Sequence, residues 1–293
     1  MLPYAPALIA FVTTVEAGSF SAAARSLDTT PSAISKAVAR LERRFGMRLF
    51  QRSTRVLSLT QEGAAYYERI APLLRALDDA SDVLHPSATA QGVLRVSAPG
   101  DLGRLLMEPI VRHFLPAHPA LKLEMSLVDR HVDLLREGYD IALRAGNIGA
   151  SELTVRELAR LPLVLVAAPV YLERHGVPRT IQDLREHAHI RYTLDGKPYP
   201  ITFENGTELT PPGVLDADSG AALRIAAVAG LGITQILRLA VQNDIDDGSL
   251  HVLLPDVPLP RVPVSVLHAF GRQSPARARL FVDFLAQALK KLA

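Results

Sequence analysis

The chain contains no cysteine. That excludes disulfides, thiolate catalysis and cysteine-ligated zinc, and it fits a reducing cytoplasm. It contains no run of about 18 uncharged apolar residues, so no transmembrane helix is expected. The opening stretch MLPYAPALIAFVTTVEAGSF is apolar but has no basic n-region. Its periodicity runs on into the next segment, so it reads as a domain helix and not as a signal peptide. Sustained repeats and low-complexity tracts are missing. So are the Gly-x-Ser-x-Gly elbow and the phosphate-binding glycine loop. Gly230-Leu231-Gly232 follows an expected helix and lacks a third glycine, which argues against a dinucleotide site. His187 and His189 have a spacing known in metal sites, but no acidic partner or third ligand stands nearby. No cofactor and no metal are implied.

A charge excess is missing too. The net charge is +2 over 293 residues, which names no partner. Its distribution says more. Between Arg25 and Arg55 there are eight basic and two acidic residues. That leaves a basic head on a mildly acidic body, the layout of a DNA-binding module joined to something else. At 48% hydrophobic and 21% charged the composition is that of a globular protein, and the length predicts two or three domains.

The head is built around Ser19–Arg44, SFSAAARSLDTTPSAISKAVARLERR. A helix over residues 5–17, with Leu8, Phe11, Val12 and Val15 on one side, stops at Gly18. Ser19 caps a second helix, Ser21 to Leu27, whose Ala22, Ala23 and Ala24 let a neighbour approach closely. Thr30 caps a third, and Pro31 suits its first position because its missing N–H would be unpaired there. Ile34, Val38, Leu41 and Phe45 make a buried stripe. The other face carries Ser32, Ser35, Lys36, Arg40, Arg43 and Arg44. Hydroxyls and cations opposite a buried stripe suit a helix in the DNA major groove. Residues 47–60 read as a short hairpin whose tip, Gln51 to Arg55, is rich in cations and hydroxyls. A basic wing beside a groove-reading helix defines a winged helix-turn-helix.

These residues closely resemble the N-terminal signature of LysR-type transcriptional regulators, nearly continuously from Phe11 to Gly63. The elements that carry the resemblance are Ala17-Gly18-Ser19-Phe20, Ala22-Ala23-Ala24, Ser32-Ala33-Ile34-Ser35, Leu41-Glu42, Gly46, Arg48-Leu49-Phe50, Arg52 and Leu59-Thr60-Gln61-Glu62-Gly63. One variation is Thr30-Pro31-Ser32, where many members carry Ser-Gln-Pro. The resemblance implies DNA contacts by Thr30, Pro31, Ser32, Ser35 and Lys36, with Arg52 and Arg55 on the wing and Arg40 on phosphate. It makes residues 61–85 a linker helix that pairs with its copy in a second subunit, with Leu73, Leu74, Leu77 and Leu84 as its apolar side and Pro72 as a local bend. His85 to Gly92 is a turn-rich hinge.

From residue 93 strands and helices alternate, which predicts an α/β body with a largely parallel sheet. Strands are expected at Val93–Ala98, Leu121–Leu127, Tyr139–Leu143, Leu163–Ala168, Gly232–Ile236 and Val262–Ala269. Helices are expected at Leu102–Leu115, Val132–Glu137, Val170–His175, Ile181–His187, Ser219–Ala229 and Pro275–Leu292. Asn205-Gly206 marks a hairpin. This half resembles the LysR regulatory domain through Gly92 to Pro99, Asp133 to Gly146 and Ala229 to Ile233. The resemblance implies two α/β lobes like those of a periplasmic solute-binding protein. The domains are then residues 1–60 (winged helix), 61–91 (linker helix and hinge) and 92–293 (effector-binding body). Lobe I takes 92–162 and 265–293, and lobe II takes 163–264.

In such a body a ligand belongs in the cleft, beside strand ends and helix N-termini. Pro99-Gly100-Asp101, Arg144 and Ser219 meet that test. Unpaired N–H groups at two helix starts, with Ser219 and Arg144, would hold a small carboxylate. Asp129 and Thr193 are further candidates. Asp101 stands against an anion, because a carboxylate at that mouth repels one. The implied partners are double-stranded DNA, a small effector (a carboxylate or aromatic metabolite), a second copy of the chain in a homodimer or tetramer, and RNA polymerase. The implied place is the cytoplasm, with no membrane contact. Two other readings stay open: a solute sensor with a vestigial DNA head, and an α/β enzyme with an appended one.

Overall fold

The computed structural model describes residues 4–51, 57–84, 90–149, 151–194, 196–270 and 274–292. It divides into two units, Met1–Pro86 and Ser87–Ala293, each with its own hydrophobic core.

The first unit contains α1 (Ala5–Ala17), α2 (Phe20–Ser26), α3 (Pro31–Phe45) and α4 (Gln61–Leu84). Its helix ends follow local chemistry. The Ser19 hydroxyl accepts from the Ala22 amide at 3.1 Å, and that of Thr30 from the Ala33 amide at 3.2 Å. Each occupies one of the amide groups that a helix start leaves unpaired. Gly46 ends α3 in the left-handed region, φ 68°, where a side chain would be strained. Ala23 and Ala24 are buried, and α2 lies close to both α1 and α3. Leu8, Phe11, Ile34, Val38, Leu41 and Leu49 fill the core. The Phe11 ring meets Phe50 at 5.5 Å and Tyr66 at 5.8 Å between centroids.

The base of the hairpin is tied to α3 and α4. Phe50 and Leu59 pair antiparallel, and the Gln51 amide donates to the Ser58 carbonyl at 2.8 Å. Glu42 Oε1, on α3, accepts from the amides of Leu49 at 2.8 Å and Phe50 at 3.2 Å. The Thr60 hydroxyl donates to the Arg48 carbonyl at 2.7 Å and accepts from the Gly63 amide at 2.9 Å. Residue 63 is glycine because a Cβ there would overlap the Leu49 carbonyl. The Leu-Glu and Leu-Thr-Gln-Glu-Gly elements are therefore the joints of the hairpin. In α4, Pro72 lies inside the helix. Leu74 packs against the core, while Leu73 and Leu77 are 60% and 63% exposed.

The second unit begins with β1 (Gly92–Ala98), α5 (Gly100–Pro109), a π-helical turn (Ile110–Phe114) and α6 (Leu115–Ala117). The helix expected over Leu102–Leu115 is thus interrupted after Pro109, whose nitrogen has no hydrogen to donate. Next come β2 (Leu121–Leu127), α7 (Leu134–Glu137), β3 (Ile141–Ala145), β4 (Thr154–Ala167) and α8 (Pro169–His175). The series β5 (His189–Leu194), β6 (Lys197–Pro198), β7 (Ile201–Thr202), β8 (Glu208–Leu209) and β9 (Gly213–Ala217) follows. The chain closes with α9 (Gly220–Val228), β10 (Thr234–Leu237), α10 (Arg238–Asp246), β11 (His251–Leu253), β12 (Arg261–His268) and α11 (Ala276–Lys290).

The main sheet runs β10-β4-β12-β3-β1-β2, with β11 also on β4. It is mixed and not largely parallel. β1 pairs parallel with β2 and β3, but β12 is antiparallel to both β3 and β4, and β10 and β11 are antiparallel to β4. The reason is connectivity: β4 carries the chain from one lobe to the other and β12 brings it back alongside. Pairing along β4 passes from β12 to β10 between Pro162 and Leu163. A smaller sheet holds β5 parallel to β9. The cores are correspondingly separate. One contains Leu94, Leu106, Leu161 and Phe281; two others, around Tyr171 and Leu223, flank the second lobe.

Two further expectations change. β4 starts nine residues earlier than Leu163. Its first half is a charged surface strand, with Arg156 paired to Asp283 at 2.8 Å and Arg160 to Glu157 at 2.8 Å, so it lacks an apolar run. The helix expected at Ile181–His187 shrinks to a 3-10 turn, Asp183–Glu186. Asp183 accepts there from the amides of Arg179 and Thr180, and the chain then leaves directly into β5.

Candidate functional site

On α3 the apolar stripe is buried, with Ile34 at 4%, Val38 at 3% and Leu41 at 1% exposure. The opposite side is open. Thr30, Pro31, Ser32, Ser35, Lys36 and Arg40 are all exposed, and none of the side chains of Ser32, Ser35, Lys36 and Arg40 pairs with another described group. Arg44, further along, is occupied: its guanidinium lies 4.5 Å over the Tyr4 ring. Arg52 and Arg55, the expected wing contacts, lie outside the described residues, as do residues 85–89 of the expected hinge.

In the second unit a cavity of about 480 Å³ opens between the lobes. Pro99, Asp101, Asp129 and Arg144 line it, together with Tyr192 and Gly220. Gly100, Thr193 and Ser219 do not. Gly100 is buried and its amide donates to Asp129 Oδ1 at 3.0 Å. Thr193 pairs with Pro198 of β6. Ser219 precedes α9 in extended backbone, and its side chain makes no capping bond.

At the two helix starts that were expected to offer free N–H groups, acids of the chain itself stand close. At α5, Asp129 accepts from the Gly100 amide. Asp101, on α5, lies so close to Gly220 at the start of α9 that a Cβ there would overlap its carboxylate; it also pairs with Arg104. Burial pushes the Asp129 carboxyl above its ordinary range, and the nearby Asp101 and Asp218 add to the rise against the Gly100 amide. Burial also raises the Tyr192 phenol, helped by Asp129, Asp218 and Asp101.

Arg144 behaves differently. It is 7% exposed. Its Nη1 donates to the Leu143 carbonyl at 2.8 Å and reaches Ser97 Oγ at 3.5 Å. Its Nη2 has no acceptor among the described residues. Burial and the neighbouring Arg130 lower its affinity for its proton.

Family comparison settles the class. Residues 6–64 match the model of the bacterial regulatory helix-turn-helix protein, lysR family, and residues 87–290 match the LysR substrate binding domain. The chain belongs to the LysR family of transcriptional regulators. It is 34% identical to the HTH-type transcriptional regulator YhjC of Escherichia coli K12, over 96% of each chain. It is 33% identical to the HTH-type transcriptional regulator CrgA of Neisseria meningitidis, again over 96% of each. The solved structure of CrgA from that organism superposes with a TM-score of 0.62 at 32% identity, covering 97% of this chain and 98% of that one. As a LysR-type regulator the chain joins a helix-turn-helix DNA-binding domain to a two-lobed effector-binding domain. The alternative of an enzyme with an appended head falls with this finding.

Several lining residues of this regulator escape a reading of the sequence. Tyr192, Gln235, His131 and Arg261 line the cavity. Tyr192 sits on β5, where Ile190, Tyr192 and Leu194 alternate with His189, Arg191 and Thr193, the one signal that could have found this strand. His187 and His189 lie in the second lobe as buried hydrogen-bonding groups. His187 Nδ1 is 3.1 Å from the Tyr171 hydroxyl, and His189 Nε2 is 2.6 Å from the Leu184 carbonyl. Burial lowers the proton affinity of both rings. Among the described residues no single helix is long and apolar enough to cross a membrane.

Proposed function

We propose that this regulator reads its operator through the N-terminal half of α3. Thr30, Pro31, Ser32, Ser35 and Lys36 face the base edges and nearby backbone in the major groove. Arg40 takes phosphate, and Arg52 and Arg55 on the wing take the adjacent backbone or minor groove. The supporting observation is that this stripe is exposed and its Lys36 and Arg40 have no acidic partner among the described residues, opposite a buried apolar side. Unpaired cations on a rigid helix suit a polyanion; paired ones do not.

The working unit is a homodimer, assembled further as a tetramer, on a two-fold related site. The exposed Leu73 and Leu77 of α4 support self-association through the linker helix. In domain terms, residues 1–60 bind DNA, 61–91 link, and 92–293 sense. Lobe I is 92–162 with 265–293, and lobe II is 163–264. A small effector in the interlobe cavity, against Pro99, Asp101, Asp129 and Arg144, changes the lobes and through them the DNA heads. It does so only if it binds one arrangement better than another. The regulator acts in the cytoplasm, where its DNA and RNA polymerase are.

The test is a gel-shift titration on a footprinted operator. Lys36→Ala and Arg52→Ala each weaken binding by about 1–3 kcal/mol where they touch a base. Arg40→Ala flattens the dependence of log K on log salt by roughly 0.9. Unchanged affinity and slope in all three variants would remove the assignment.

A further inference from the structure

We infer that the cleft takes a zwitterionic amine, an amino acid or close relative, with its ammonium among Asp101 and Asp129 and its carboxylate on Arg144. This deepens the effector reading above and rests on it.

The acidic end opposes an anion by its charge. Asp129 already accepts the Gly100 amide. Asp101 lies against the start of α9 at Gly220, and Asp218 stands close enough to disfavour ionisation of Asp129. Against these three carboxylates Arg104 supplies a guanidinium bound to Asp101, and Arg144 lies near enough to Asp129 to feel its charge without pairing with it. A carboxylate ligand arriving here meets like charge. An ammonium group meets Asp129, held in place by the Gly100 amide, and Asp101 nearby.

The opposite requirement comes from Arg144, an independent observation on the same cavity wall. Its guanidinium is more than nine-tenths buried, with no ion pair among the described residues and no acceptor for Nη2. Leaving such a donor unmatched is costly, and a ligand oxygen remedies it. Other guanidinium groups on the wall have partners. Arg191 is held two-pronged by Asp216 at 2.7 Å for both contacts, Arg160 by Glu157, and Arg261 donates to the Arg160 carbonyl at 2.8 Å. The cavity thus presents one unsatisfied cation and one surplus of negative charge, joined by apolar surface from Leu102 and Ile236. A molecule with one charge of each sign matches both.

The experiment is thermal shift on the full chain with each proteinogenic L-amino acid at millimolar concentration, and with benzoate, salicylate and succinate as plain carboxylates. At least one amino acid raises the melting temperature. Its N-acetyl derivative and its decarboxylated amine do not. By calorimetry, Asp129→Asn, which keeps an acceptor for Gly100, and Arg144→Lys each weaken the active amino acid about tenfold or more. Silence of every amino acid overturns the inference. So does a shift kept by the N-acetyl derivative, a shift given by a plain carboxylate, or undiminished binding to Asp129→Asn. The sensor reading fails separately: it falls if Ala145→Trp, which fills the cavity mouth, leaves operator-controlled expression unchanged under all growth conditions.

Discussion

The head and the body of this regulator put their cations to opposite uses. On α3, Lys36 and Arg40 stand in solvent with no acidic partner among the described residues. Around the cavity, Arg104, Arg160 and Arg191 each hold a carboxylate. A free cation keeps its full attraction for a distant polyanion, and many together release counterions on binding. A cation already paired contributes shape and hydrogen bonds but little field. The head therefore recognises charge at long range, while the body recognises a small molecule at contact range. Arg144 departs from the pattern of its neighbours, and for that reason it directs attention to the ligand.

The largest effect that sharpens this comparison is on stability. Phe11→Ala removes a ring that is fully buried between Phe50 and Tyr66, at about 3–5 kcal/mol. Calorimetry is expected to show the head transition lowered and that of Ser87–Ala293 unchanged, because the cores are separate. A single shifted transition would break the division. Glu42→Ala comes next. It strips an acceptor from the Leu49 and Phe50 amides at about 1–3 kcal/mol. It is expected to weaken operator binding further by freeing the hairpin from α3, whereas Glu42→Gln recovers part of both losses. Thr30→Ala removes the cap on Ala33 for about 1 kcal/mol, measured by chemical denaturation. If operator affinity falls by more than stability, Thr30 touches DNA as well.

The smallest effect belongs to the body and to pH. Asp129 has a folded-state pKa raised by burial and its acidic neighbours. The folded state then holds a proton that the unfolded state has lost. Stability falls as pH rises from the ordinary aspartate range through the raised one, and is flat on either side. Denaturation curves of the wild type and Asp129→Asn should diverge across that window in favour of the variant. A constant difference from acid to neutral would sink the idea that Asp129 is crowded by other acids.

Much of the head is legible in the residues themselves, for a local reason. Ser19 and Thr30 cap with their own hydroxyls, Gly46 stops α3, and the Ile34–Val38–Leu41 stripe repeats at the helical period. Interactions between residues a few positions apart are written in order along the chain. The body is harder to read. The charged half of β4 has no apolar run, and the alternation of Ile190, Tyr192 and Leu194 marks β5 as a strand without saying which face meets the cleft. The antiparallel partners of β4 come from about seventy and a hundred residues away, so alternation of strands and helices suggests the wrong sheet.

At the cavity the division is clearer still. Pro99, Asp101, Asp129 and Arg144 announce a polar mouth from their places after strands and before helices. That Asp101 belongs beside Gly220, more than a hundred residues later, and that Asp129 belongs on the Gly100 amide, follow only once the lobes are packed. Residue types and local spacing pointed to a DNA-binding head and an α/β body, and the resemblance to LysR regulators implied that the body has two lobes. Whether a charge in the cleft is free or already satisfied was decided by tertiary packing, because satisfaction depends on distances across the cleft that no local pattern encodes.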